Sequence, residues 1–469
     1  MKTILKNAGW LALGEGVSRT LVFFLIVAMT RILGPEEYGK FAFAFAFVFV
    51  SLLAMLSNFG LTGIATRELA QGSQREREFS SILSLKILLS AGTLLVMFLL
   101  ALLVTPDIAV RKLIWILSLF ALIDNFFWIL YAFLRARERM EYEAVTRIVG
   151  AVLLLLVGFF VLFNLPSVTN ISYAYVATSL VTLIGLAAFF HFRIYPLAFA
   201  LDMLLLKKFW EFSWPLGLAG VFGTVYIYSD SIIMGYLKQV TAVGWYGAAY
   251  QVIGLPIIVV TLISTSFYPA LSRFAKESKE NLQNLWNRHM QWMIFLALPL
   301  MAGTIVLAPK IINFLYGQRY EPSVIALQIL IFAAGLNFLY NPYGTALVVT
   351  GQQKKHLLGT AIAALVNIIL NIILIPRFSL YGAGIATLIS YMFLLALEVE
   401  FVRRFTSLAI WDARLTRVFL VAGFASLAMA FFISQPMFAA LHVLALVGVG
   451  VVSYFALLFV SIKLRVLHV

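Results

Sequence analysis

The residues best placed to do chemistry are a few ionisable side chains inside long apolar runs. Only 12% of the 469 residues are charged, and most of the charge lies between the runs. The few charged residues within them include Glu15, Arg19, Asp124 and Asp230. A charge at the bilayer centre costs roughly 2.5–3.5 kcal/mol, so it normally faces a polar cavity or a partner. We therefore expect the chain to enclose something polar within a membrane.

Glu15 and Arg19 are four residues apart and share one face of a predicted helix, so they could pair. A rise of about 1.5 Å per residue from a span starting near residue 8 places Arg19 roughly 16 Å deep, near the midplane. The guanidinium fork suits phosphate oxygens, and Glu15 could hold it or exchange protons. The alternative is a structural pair that locks the first helix against a neighbour.

Asp124 and Asp230 are carboxylates in the predicted fourth and seventh spans. Each could carry a proton or bind a cation such as sodium, which would couple a membrane process to an ion gradient. Alternatively, each only accepts hydrogen bonds, and Tyr226, Tyr228 and Ser229 are the nearest donors for Asp230. Both readings stay open from the residues alone.

The composition is that of an integral membrane protein. The hydrophobic fraction is 63% and the mean hydropathy +1.00, against roughly 45–50% apolar residues in soluble domains. The absence of cysteine excludes disulfides and thiol catalysis, and five scattered histidines form no metal-ligand spacing. No phosphate-binding loop for a nucleotide occurs. We predict neither a metal nor a cofactor, apart from H⁺ or Na⁺ as a coupling ion.

Segments of about 20 apolar residues, the length needed to cross the hydrocarbon core, predict an all-α fold of fourteen transmembrane helices. Run length favours helix even for the alternating stretch 41–47. The predicted spans are 8–31, 39–66, 80–104, 112–134, 144–163, 171–192, 210–235, 243–268, 287–309, 323–350, 356–375, 381–402, 415–433 and 438–461.

The distribution of Lys and Arg predicts the orientation of these spans. If the N-terminus is cytoplasmic, 24 of the 34 basic residues lie at the inner side, 8 lie in outer joints, and Arg19 and Lys86 lie inside spans. A threefold excess in short loops follows the positive-inside rule. Both termini are therefore predicted to be cytoplasmic. The net charge of +14 is mainly a topology signal, and nucleic acid is not expected.

Weak matches recur in the same order about 205–210 residues apart, which indicates an ancient duplication. A glycine-containing turn at 33–39 matches one at 237–244, and Pro166 matches Pro376. Parallel repeats of this kind build transporters with a site between the halves. We predict four parts: a six-helix lobe at 1–195, an amphipathic cytoplasmic linker at 196–209, a second six-helix lobe at 210–405, and two additional helices at 406–469.

Two segments resemble the signatures of Wzx-type polysaccharide-export flippases, which belong to the multidrug/oligosaccharidyl-lipid/polysaccharide (MOP) superfamily. They are the stretch RILGPEEYG at 31–39, and a later stretch at 367–387 that contains Asn367, Asn371, Pro376 and Gly382. The resemblance is colinear over the whole chain. It implies two lobes in a V around a central cavity, as in the MATE exporters, and transport of an isoprenoid-diphosphate-linked oligosaccharide from the inner to the outer leaflet of the cytoplasmic membrane by alternating access.

A neighbouring branch, the lipid II flippases, shows Ser-Arg-x-x-Gly-x-x-Arg in its first helix. Here Ser18 and Arg19 match the opening pair, which adds Ser18 to the predicted substrate site. Val22 and Leu25 stand where that branch has glycine and the second arginine, which disfavours the peptidoglycan precursor as cargo. Multidrug exporters of the superfamily usually have twelve spans, which disfavours them too.

Six further residues carry polar side chains near or inside spans. Lys86 either contacts substrate or snorkels to water, and Asn337 with Asn341 could bind sugar hydroxyls. Arg147 is predicted to be interfacial. Glu398 and Glu400 are predicted to form an interfacial cluster with the basic residues that follow them.

We therefore predict a flippase and not an enzyme, acting on a lipid-linked oligosaccharide among membrane lipids. Partners could include polysaccharide polymerase machinery, and the chain is expected to be a monomer. The rival class, a membrane-embedded polymerase or ligase, needs converging acid and base groups at one membrane face. The outer loops are short and carry only scattered acidic residues such as Asp107 and Glu321.

Overall fold

The structure, a computed structural model, describes residues 2–50, 65, 69, 75–105, 107–198, 202, 228–237 and 239–463. These residues include eleven helices long and apolar enough to cross a membrane, so the chain is a multi-pass membrane protein. The helices are α1 (Lys2–Val50), α2 (Arg75–Val104), α3 (Ile108–Ala136), α4 (Met140–Asn164), α5 (Val168–Arg193), α6 (Val240–Glu277), α7 (Lys279–Tyr316), α8 (Ser323–Val349), α9 (Gln353–Phe405), α10 (Ala413–Ile433) and α11 (Val443–Lys463).

Two of these helices contain a break at a predicted joint between spans. Helix α1 is non-helical at Gly34, where φ is 82° and favours glycine, and Pro35 follows. Helix α9 is non-helical at Ser379, with φ 52° and ψ −132°. Without that break, its 53 residues would form a rod of about 80 Å, far longer than the roughly 30 Å hydrocarbon core. The break therefore divides the helix into two segments, each of which is long enough to span that core.

The count of fourteen spans stays a prediction. The predicted seventh span at 210–235 and the end of the second span, 51–66, lie mostly outside the described residues. The chain divides into two compact units, Met1–Gly244 and Trp245–Val469. The predicted lobes also stay predictions, and the predicted linker at 196–209 falls largely outside the described residues.

In the first unit, an aromatic cluster joins α2, α3 and α5. The ring centroids of Phe79 and Phe133 are 4.7 Å apart, those of Phe79 and Phe190 are 5.4 Å apart, and those of Phe133 and Phe190 are 5.0 Å apart. All three side chains are buried. Because lipid tails are as apolar as these rings, close packing supplies much of the attraction between helices in a membrane.

In the second unit, buried aromatic residues tie α7 to its neighbours through their polar tips. The indole of Trp286 donates to the Pro342 carbonyl at 3.0 Å, and its ring lies 5.4 Å from that of Tyr343 on α8. The hydroxyl of Tyr454 on α11 donates to the Phe295 carbonyl at 2.9 Å. These bonds satisfy polar groups that lipid could not.

Candidate functional site

A close approach of α1 and α4 positions the charged residues of the first unit. A Cβ added at Gly14 would lie 2.7 Å from the Ala144 Cα, whereas one at Gly16 would meet nothing within 4 Å. Small residues allow membrane helices to approach this closely. Glu15 follows Gly14 and Glu143 precedes Ala144, so the contact brings acidic side chains of both helices to the same level.

Glu15 binds two guanidinium groups. The Arg19 Nε donates to Glu15 Oε1 at 2.6 Å, and the Arg147 Nη1 on α4 donates to Glu15 Oε2 at 3.1 Å. The Arg19 side chain is 60% exposed, while that of Arg147 is 18% exposed. The predicted Glu15–Arg19 pair is thus present, and the same carboxylate also ties α1 to a neighbouring helix.

Glu143 holds Arg147 from the opposite side. Its fully buried carboxylate accepts from the Arg135 Nε and Nη2 at 2.7 and 2.6 Å, and from the Arg147 Nε and Nη2 at 3.1 and 3.0 Å. The Arg147 guanidinium also lies over the rings of Trp128 and Tyr131, at 4.8 and 5.0 Å from their centroids. Carboxylates and ring faces therefore fix its orientation.

We call Glu15, Arg19, Arg135, Glu143 and Arg147 the N-terminal charge cluster. It contains three cations and two anions, so it has a formal excess of one positive charge and an exposed guanidinium at its open end. That arrangement suits an anion with several acceptor oxygens. Within the described ranges, no group of three or more His, Asp or Glu residues could hold a metal ion.

Asp124 and Lys86 lie beside this cluster. Asp124 Oδ2 accepts a hydrogen bond from the Trp128 indole at 3.2 Å, so the ring under Arg147 also contacts this carboxylate. Lys86 on α2 is fully buried and within electrostatic range of Asp124. Because its side chain is covered, Lys86 does not snorkel to the surface as one reading of the sequence allowed.

Ser18 and Asp230 make local contacts. The Ser18 hydroxyl donates to the Glu15 carbonyl at 3.2 Å. Asp230 is buried within the described helical residues 228–236 and accepts from the Ser231 amide at 2.7 Å. Tyr226, one of its predicted donors, lies outside the described residues.

The two predicted sugar-binding asparagines lie in the second unit. The Asn337 amide donates to the Tyr391 hydroxyl at 3.4 Å. The Asn341 carbonyl oxygen accepts a short hydrogen bond from the Ser264 hydroxyl, which also lies 3.2 Å from His289 Nε2. Ser264 and His289 were not predicted, because no spacing within one helix connects them to Asn341.

Several charged residues have different surroundings from those predicted. Arg147 was predicted to be interfacial, but it pairs with Glu15 and Glu143. Its i,i+4 spacing from Glu143 could have indicated the second pair, as the same spacing did for Glu15 and Arg19. The predicted cluster of Glu398 with its neighbours is wrong, since only Glu400 pairs with Arg403 and Arg404. Residues two apart on a helix do not share a face, and Glu398 is buried instead.

A model of the polysaccharide biosynthesis protein family matches residues 4–275, more than half of the chain. The chain belongs to this family. A MatE family model matches residues 215–373. The two matches together confirm the resemblance to polysaccharide-export flippases of the MOP superfamily.

Relatives of this chain include two proteins of glycan biosynthesis. The probable low-salt glycan biosynthesis flippase Agl15 of Haloferax volcanii is 25% identical over 190 residues, which cover 40% of each chain. The capsular polysaccharide biosynthesis protein CapF of Staphylococcus aureus is 21% identical over 408 residues, which cover 86% of this chain and 100% of CapF. The match to Agl15 thus spans well under half of that relative.

A solved structure shows the fold. The lipid II flippase MurJ in an inward closed conformation superposes with a TM-score of 0.80 at 18% identity, over 96% of this chain and 98% of that one. At this identity the likeness concerns the fold alone. The prediction of an all-helical membrane fold like that of MOP-superfamily structures is therefore confirmed.

Proposed function

We propose that this chain is a flippase that moves an isoprenoid-diphosphate-linked oligosaccharide from the inner to the outer leaflet of the cytoplasmic membrane by alternating access. The observation that carries the proposal is the Glu15 carboxylate shared by Arg19 and Arg147, with Arg19 largely exposed within a membrane-spanning helix. A charge at that depth is expected to face a polar cavity. The glycan-biosynthesis names of Agl15 and CapF support a lipid-linked glycan as cargo.

The proposed recognition step exchanges one anion for another. Diphosphate oxygens take the place of Glu15 as acceptors for Arg19, and Arg147 offers its Nη1 while its Nε and Nη2 remain on Glu143. Guanidinium groups bind phosphate with paired, charge-assisted hydrogen bonds. Because Glu143 and the rings already orient Arg147, little side-chain entropy is lost when the anion binds.

The other residues predicted to contact the substrate have secondary roles in this proposal. Asn337 and Asn341 offer amide groups to sugar hydroxyls, and the Ser18 hydroxyl lies one residue from Arg19. Buried Lys86 acts through Asp124 and does not touch the cargo. The proposed transport step breaks no covalent bond. In this proposal both termini are cytoplasmic. The protein works as a monomer among membrane lipids and can pass its product to a polymerase.

In proteoliposomes, the wild-type protein should move a labelled isoprenoid-diphosphate oligosaccharide between leaflets, and Arg19→Ala should abolish this movement. Arg19→Lys should recover only part of the rate, because a lysine lacks the guanidinium fork. The exposed position of Arg19 predicts an unchanged melting temperature for both variants. Unchanged flipping by Arg19→Ala would remove this residue from the substrate site.

We also propose that Asp124, with Asp230 as a second site, couples flipping to a proton or sodium gradient. Asp124 shares Trp128 with Arg147 and is within electrostatic range of both Arg147 and Lys86, so its charge state acts on the site. An imposed gradient should change the wild-type rate, and Asp124→Asn should remove that response. Asp107→Asn, on the cap of the same helix, is the matched control. A wild-type flipping rate that changes with neither a proton gradient nor a sodium gradient would contradict the coupling proposal.

A lipid II flippase is the second candidate, favoured by the fold shared with MurJ. Val22 and Leu25 depart from the first-helix motif of that branch, and Leu25 is buried. A cation-coupled multidrug exporter is supported only by the partial MatE match. The three functions are distinguished by presenting lipid II, an organic cation and the isoprenoid-diphosphate oligosaccharide to the same proteoliposomes. We expect only the oligosaccharide carrier to move.

A further inference from the structure

The break in α9 brings together two ionisable residues that are 42 positions apart. Ser379 separates the two halves of the helix, with His356 near the start of the first half and Glu398 near the end of the second. The His356 Nδ1 lies 2.7 Å from Glu398 Oε1. The pair therefore joins the two halves of α9 at the end opposite the break.

The pair is enclosed on one side and open on the other. Glu398 is fully buried, while the His356 side chain is 33% exposed. A Cβ at Gly344 on α8 would lie 2.9 Å from His356 Cε1, and a Cβ at Gly359 would lie 3.4 Å from Glu398 Oε1. Glycines at these positions leave room for the two side chains, and the imidazole connects the buried carboxylate with the outside.

The second carboxylate oxygen has no compensating contact. Glu398 Oε2 is buried and has no hydrogen-bond partner among the residues that the structure describes. Among the described residues, Tyr340 on the packed helix α8 is a titratable group within electrostatic range of Glu398. On its own helix, Glu400 is engaged by Arg403 and Arg404. Among the described residues, the ion-pair partner of Glu398 is His356.

The net charge of the closed pair depends on whether the two side chains share a proton. With the proton, the pair is an imidazolium bonded to a carboxylate and is neutral as a whole. Without it, a buried carboxylate keeps a full negative charge with one oxygen unpaired, which strongly disfavours the closed arrangement. We propose that His356 and Glu398 form a proton-binding site of the second unit, and that the exposed imidazole is its route to water.

The site links proton binding to the conformation of α9. A state that separates its two halves at this end exposes Glu398 to water and lowers its need for the proton, so binding and closure favour each other reciprocally. If the proposed function holds, this helix pair would take up one proton on closing and release it on opening in each flipping cycle. That last step rests on the proposed function, but proton binding itself does not.

Nitrogen NMR on protein labelled at histidine tests the site without any transport. We expect the ring nitrogens of His356, assigned by their absence from His356→Gln, to show an imidazolium near neutral pH in the wild type. In Glu398→Gln the ring should be neutral under the same conditions. Glu400→Gln, two residues along the same helix, should leave the imidazolium unchanged.

A neutral His356 in the wild type would overturn the proposal, and this result does not depend on whether Glu398→Gln folds. Loss of the imidazolium signal on adding sodium at constant pH would overturn it in favour of a metal cation. In proteoliposomes, Glu398→Gln should weaken the response of flipping to a proton gradient, whereas Glu400→Gln keeps it. Absence of flipping by the wild type would remove the proposed function and leave the NMR result intact.

Discussion

Arg147→Ala should reduce flipping of a diphosphate-linked oligosaccharide at least about thirtyfold. In the proposed site, Arg147 uses Nη1 for the substrate and its other donors for Glu143, above two aromatic rings. Removing one partner of a buried, hydrogen-bonded charge pair costs about 2–5 kcal/mol, and 2 kcal/mol corresponds to about thirtyfold. The measurement is the initial flipping rate in proteoliposomes, normalised to the amount of folded protein.

Two variants show whether shape or charge matters at this position. Arg147→Lys keeps the positive charge but cannot bind both Glu15 and Glu143 with separate nitrogens in a fixed plane, so we expect it to remain strongly impaired. Arg139→Ala removes an exposed arginine that caps the same helix and stacks on Tyr142, and should flip normally. Equal rates for Arg147→Ala and Arg139→Ala would show that Arg147 has no part in transport.

Glu143→Ala should have a large effect on the stability of the fold. The carboxylate is fully buried and accepts four hydrogen bonds from Arg135 and Arg147. Its removal leaves the Arg135 guanidinium and the Nε and Nη2 of Arg147 without this acceptor. Breaking a buried pair in this way costs about 3–5 kcal/mol. Because both arginines are partly exposed, water can solvate them and we expect the lower end, about 3 kcal/mol.

The matched control for this experiment lies two residues away. Glu141 is in the same first turn of α4 but is not fully covered, and Glu141→Ala should change stability by less than about 0.5 kcal/mol. The measurement is the midpoint of unfolding in a denaturant series at fixed detergent. Similar midpoints for Glu143→Ala and Glu141→Ala would mean that the N-terminal charge cluster does not stabilise the first unit.

Sequence periodicity predicted the part of this cluster that lies on α1, whereas the Glu143–Arg147 pair on α4 was not predicted. Glu15 and Arg19 are four residues apart, and that spacing alone places them on one face. Arg147 could not be placed in the same way, because its contacts with Glu15 and Trp128 join three different helices. Those contacts depend on the register between helices, which is set by close approaches such as that at Gly14 and not by composition.

The dependence on packing between helices also explains why the surroundings of Lys86 and Glu398 were not predicted. Their distance from a span boundary suggested that both could reach the interface, but burial depends on which neighbour covers each face of the helix. Lys86 is covered beside Asp124, and Glu398 is covered beside His356. For Glu398, the spacing already argued against a shared cluster, because Glu400 at i+2 points to another side of the helix.

The fold itself was more accessible to prediction. Apolar run length depends on bilayer thickness, a property outside the protein, so the membrane-spanning helices follow from sequence alone. The breaks at Gly34 and Ser379 fall at predicted joints. The angle and distance between helices are different, because they result from side-chain packing over many positions at once.

The central claim is that the N-terminal charge cluster recognises the diphosphate of a lipid-linked oligosaccharide during flipping. The most direct measurement compares the flipping rates of one labelled oligosaccharide on an isoprenoid diphosphate and on a matched carrier without phosphate, using the wild-type protein in the same vesicles. We predict rapid movement of the diphosphate form and only the background rate for the other carrier. Equal movement of both carriers would contradict the account.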